Sequence, residues 1–85
     1  MQHITEHAVH QAIYFIDPMN TGCVENCMED EYCSETKEIV AAVQAGNSLN
    51  ESVLNTFNAN FWEGCLTPDT LKLICQNITE ISQLS

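Results

Sequence analysis

Three thiols fall within one short stretch, Cys23-x3-Cys27-x5-Cys33, and Cys65 or a histidine would complete a tetrahedral set for zinc. The spacing departs from the C-x2-C pairs of structural zinc sites. Free cysteines are also among the most buried residue types, and Cys75 reads that way on the apolar side of a helix. His3, His7 and His10 recur at i, i+4 and i+7 and share one helical face. That geometry suits a solvated stripe, a pH-sensitive contact surface or a transition metal. Asp17 and Gly22 match positions one and six of an EF-hand loop, but Met19 and Met28 stand at ligand positions three and twelve, which excludes that loop. For catalysis, a cysteine with a histidine base is the one constellation available in principle. There is no G-x-S-x-G elbow, no Walker glycine loop, no H-E-x-x-H and no arginine to clamp an anionic substrate. These residues predict a protein that is not an enzyme and needs no cofactor, with zinc on Cys23, Cys27 and Cys33 as the alternative.

The acidic residues are the least ordinary feature. Asp17, Glu25, Glu29, Asp30, Glu31, Glu35 and Glu38 crowd into one segment with only Lys37 among them. Like charges at this density repel. Such a segment is either a solvated face feeding an acidic helix start or a surface that docks into a basic groove, steered by charge. Carboxylates spaced like phosphates would extend the second reading to mimicry of a nucleic-acid backbone. Over the whole chain, twelve acids face Lys37 and Lys72, for a formal charge of −10. Direct nucleic-acid binding is excluded, because it draws on Lys and Arg displacing counterions from phosphates. An anionic membrane surface would repel the chain in the same way.

Eighty-five residues with a 45% hydrophobic share predict one domain, 1–85, with a thin core. The first fifteen residues lack the basic start and unbroken apolar run of a signal peptide, and no stretch is long and apolar enough to span a bilayer. The expectation is a cytoplasmic protein whose five cysteines are reduced thiols. On that reading the sequons at Asn50 and Asn77 are chance matches.

Four elements must position these groups. Periodicity predicts a first helix over 3–16, with Ile4, Thr5, Ala8, Val9, Ala12, Phe15 and Ile16 on its apolar half, Ile13 at the margin and Tyr14 on the histidine side. Asp17-Pro18 stops it. An irregular connection to Cys33 follows, longer than loops in small domains usually are. Ser34 reads as the cap of a second helix closed by Gly46, with Ile39, Val40 and Val43 as its buried edge. Ser48 and Glu51 form a capping box for a third, running to about Trp62, with Leu49, Val53, Leu54, Phe57 and Phe61 on one face. Thr67-Pro68 opens a fourth, with Leu71, Leu73, Ile74, Cys75, Ile78, Ile81 and Leu84 on its apolar side. The predicted class is all-α: a compact bundle of about four short helices with one long irregular connection after the first. Trp62 falls outside the apolar arc of its helix. It either folds back over the core or stands exposed as an anchor for a homodimer or a partner pocket.

Asp17-Pro18, then Glu29-Asp30-Glu31-Tyr32, then SETKEIV and a short helix pair resemble small bacterial domains with an Asp-Pro … acid-Tyr-Asp signature, here with Cys33 in place of the final aspartate. The resemblance covers residues 15–60, and some such domains look like toxin-immunity proteins; it implies a fold more than an activity. In size, acidity and absence of catalytic motifs the chain is also similar in type to phage-borne inhibitors of host defence, the anti-CRISPR and anti-restriction proteins.

The reading that joins these features is a non-catalytic inhibitor that docks on a basic, nucleic-acid-binding surface of a defence nuclease complex. Asp17, Glu25, Glu29, Asp30, Glu31, Glu35 and Glu38 supply charge, and Tyr32 and Trp62 supply apolar anchors. An immunity or antitoxin-type protein neutralising a basic toxin is the alternative, and a small zinc-stabilised module is the second.

Overall fold

The computed structural model describes residues 4–22 and 31–84. Four helices account for most of them: α1 (Glu6–Ile16), α2 (Cys33–Gln44), α3 (Leu49–Asn60) and α4 (Pro68–Leu84). No strand occurs among the described residues, and the all-α reading holds.

Local chemistry sets most of the helix ends. Thr5 precedes α1 as its N-cap, its Oγ1 accepting from the Ala8 N–H at 3.1 Å. The helix therefore starts at Glu6 and not at residue 3, because a hydroxyl so engaged holds its own residue in extended backbone. α2 ends in a double-bonded turn in which Gly46 N–H donates to Val43 O and Asn47 N–H to Ala42 O. Only a residue at ease at φ +106° can close it, which is the role of Gly46. Ser48 Oγ accepts from Glu51 N–H to open α3, and Thr67 Oγ1 accepts from Thr70 N–H to open α4 ahead of Pro68. α3 stops at Asn60, short of Trp62, with Phe61 leaving helical geometry.

One start differs for a tertiary reason. α2 begins at Cys33, and its cap is Tyr32 in the left-handed region at φ 67°; Ser34 lies inside the helix. Tyr32 O accepts from Thr36 N–H at 2.9 Å, the first bond of the helix. A bulky residue rarely adopts this φ, so something must hold Tyr32 there.

Each helix packs on two others, α1 on α2 and α4, and α3 on α2 and α4, with no contact across either diagonal among the described residues. The tight turn at 45–48, with Tyr32 beside Phe57 and Glu38 beside Asn60, makes α2 and α3 an antiparallel hairpin. The centre of this square is Val9, Ile13, Ile39, Val53, Phe57, Ile74 and Ile78, all fully buried. Burying such a side chain contributes about 1.5–3 kcal/mol. Ile13, at the margin of the predicted apolar half, is fully buried, while Phe15, predicted well inside it, stays 63% exposed. Ile4 and Ala8, which flank Phe15 on the wheel one or more turns earlier, are buried, so Phe15 is left out by its place in the last turn of α1 and not by its side of the helix. Leu73 is likewise exposed, and Ile74 and Ile78 carry the buried side of α4.

Candidate functional site

Asp17 is the C-cap of α1, left-handed at φ 49°, with its N–H donating to Ile13 O. Its carboxylate gathers four donors. Oδ1 accepts from Thr21 N–H at 2.9 Å, the Thr21 hydroxyl at 2.8 Å and the Tyr32 hydroxyl at 2.6 Å, and Oδ2 accepts from Gly22 N–H at 2.8 Å. The Tyr32 oxygen in turn accepts from Met19 N–H at 3.1 Å. Partial burial pushes the Asp17 carboxyl up, but the hydrogen bonds from Tyr32, Thr21 and Gly22 outweigh it and hold the group down at about 2. Burial, and after it the bond to Asp17, drives the Tyr32 phenol well above its usual range, so it stays a donor.

This clasp corrects two expectations. Tyr32 is 2% exposed and packs on Phe57 with ring centroids 6.1 Å apart, so it is a core residue and not a surface anchor. The Asp17 carboxylate is spent on internal donors and offers little to a partner. Together the two residues join the end of α1 to the start of α2.

Of the other acidic candidates, Glu25, Glu29 and Asp30 lie outside the described residues, as do Cys23, Cys27 and His3. Glu35 and Glu38 share the first turns of α2, and Glu31 precedes the helix just before its cap; Glu31 and Glu35 are half-buried and Glu38 is exposed. Glu38 Oε2 accepts from Asn60 Nδ2 at 2.6 Å, which ties this part of α2 to the end of α3. Nothing in the sequence singles out Asn60; the contact exists only because the hairpin is antiparallel.

Next to Asn60 a row of rings runs outward. Buried Phe57 stacks on Phe61 at 5.4 Å, and Phe61 meets Trp62 edge-on at 6.5 Å. Phe61 is 37% and Trp62 60% exposed. Of the two placements open to Trp62, the exposed one is realised, and Leu66 is the residue of the same connection that is buried in the core. Bonds from Phe61 N–H to Phe57 O, Gly64 N–H to Asn58 Oδ1 and Cys65 N–H to Trp62 O hold this turn.

The three described cysteines differ in burial. Cys33 is exposed, Cys65 half-buried and Cys75 buried, its thiol pushed up to about 11 by burial. No group of three His, Cys, Asp or Glu side chains among the described residues is placed to hold a metal ion. His7 is exposed, and the His10 ring stacks on Tyr14 at 5.6 Å. Tyr14 packs partly against the core and lies edge-on to Phe15, so it is less open than its place on the polar face of α1 suggests. An open groove of about 520 Å³ lies between the start of α3 and the middle of α4, lined by Ser48, Asn50, Lys72, Gln76 and Glu80 among others. Among the described residues no helix is long and apolar enough to cross a membrane.

The fold defines an all-α four-helix protein with one acidic edge and one exposed aromatic turn. Compared with known proteins, the chain matches no family model, no curated protein and no solved structure.

Proposed function

We propose that the protein is a non-catalytic inhibitor that binds a basic, nucleic-acid-binding surface of another protein, of the kind a defence nuclease complex presents. The observation that carries this reading is the acidic start of α2, with Glu31 just ahead of the helix, Glu35 and Glu38 on it, and Glu38 bonded to Asn60 beside the exposed aromatic turn. Carboxylates held on a helix are ordered before binding, so docking costs less side-chain entropy than the same charges on a free loop. A formal charge of −10 steers the chain toward a basic partner over several ångströms of solvent and repels it from nucleic acid itself. Neutralising a basic toxin draws on the same physics, and rescue of toxin-expressing cells would identify that target instead.

The test is a tagged pull-down from the native host, reconstitution with the purified partner, and the triple change Glu31→Lys, Glu35→Lys and Glu38→Lys. Binding should fall at least tenfold with the circular dichroism unchanged. Full retention of binding by the triple variant would rule these acids out.

A further inference from the structure

Trp62 stands at the outer end of a ring stack rooted in the core, on a turn held by three hydrogen bonds. It is 60% exposed, while Leu66 of the same connection is buried in the core. Two acids are tied to this turn: Glu63 follows Trp62 in the chain, and the Glu38 carboxylate accepts at 2.6 Å from the amide of Asn60, two residues before Trp62.

We infer that Phe61 and Trp62, with Glu38 and Glu63, form a receptor for an arginine side chain of a basic protein partner. This rests on the reading that the acidic edge docks on such a partner. A purely apolar pocket closing over Trp62 would strip water from both carboxylates with no compensation. A guanidinium stacks on an indole face and donates in parallel to carboxylates, so it satisfies both parts of the surface; an ammonium does so less well. A second copy of this chain is disfavoured by charge, because each carries −10 and self-docking sets Glu38 and Glu63 against their own counterparts.

Trp62 is the single tryptophan, so its emission reports on this surface alone. The probes are fluorescein-labelled deca-arginine and deca-lysine peptides, followed by anisotropy, with unlabelled peptides for the tryptophan signal. Deca-arginine should bind saturably, change Trp62 emission and bind about fivefold more tightly than deca-lysine. Trp62→Ala should weaken deca-arginine binding by about fivefold with unchanged circular dichroism, and Trp62→Phe should retain most of it. Equal binding of both peptides, untouched by Trp62→Ala, overturns the arginine receptor and leaves the acidic docking edge standing. Binding of neither peptide overturns both. Concentration-dependent dimerisation abolished by Trp62→Ala overturns the assignment in favour of a second copy.

Discussion

The Tyr32 hydroxyl donates to Asp17 Oδ1 at 2.6 Å, joining the cap residue that ends α1 to the cap residue that begins α2. Both residues are left-handed, and for Tyr32 that backbone costs about 1–2 kcal/mol. The buried ring and the two hydrogen bonds on its hydroxyl offset that cost.

Removing only the hydroxyl tests the clasp. Tyr32→Phe keeps the packing on Phe57 but leaves the Met19 N–H and one carboxylate oxygen short of a partner. Urea unfolding should show a loss of about 1–3 kcal/mol, since the bond is to a charged group. In a double-mutant cycle with Asp17→Asn, the coupling should reach about 1 kcal/mol or more. Additive losses would mean the two residues act independently.

The clasp also has a pH signature. Asp17 is held at about 2 when folded and titrates near the ordinary value of about 4 when unfolded. A depressed folded value gives stability that is full above the unfolded pKa and is lost as pH falls toward the folded one. The stability gap between the protein and Asp17→Asn should therefore be constant near neutrality and shrink between about pH 4 and about pH 2. Equilibrium unfolding at a series of pH values checks this.

Phe57 is fully buried, touches Tyr32 and carries the ring row toward Trp62. Phe57→Ala should cost about 3–5 kcal/mol, a large share of the about 5–15 kcal/mol typical of small domains. Thermal melts should show a much lowered midpoint or no cooperative transition.

Gly46 sits at φ +106° with open space where a Cβ would project. Gly46→Ala meets no neighbouring atom but places a Cβ on left-handed backbone, which should cost about 1–2 kcal/mol. A larger loss would mean that the turn between α2 and α3 tolerates no adjustment.

Thiol chemistry should separate the cysteines. Exposed Cys33 should react with a disulfide reagent at neutral pH well before Cys75, which is buried and whose thiol is raised to about 11. Peptide mapping after timed labelling reads the order, and Cys75 should become reactive with the same midpoint as unfolding.

Helix number and most helix ends are legible in the chain because they depend on local chemistry. Ser48, Thr67-Pro68 and Gly46 act through bonds to residues three or four positions away, and Pro18 ends α1 because it has no N–H to continue the ladder. The acidic charge and what it repels are equally local properties of composition. What periodicity leaves open is how much of an apolar face a neighbour will cover, and this is why marginal Ile13 is fully buried while Phe15 and Leu73 stay outside. Nor does spacing along the chain show that Tyr32 turns inward to Asp17 or that Asn60 reaches Glu38, because those contacts need α1, α2 and α3 to be packed first. The structure also decided that Leu66 is buried in the core while Trp62 stays exposed, because burial in a connection depends on where α3 and α4 are packed and not on local spacing.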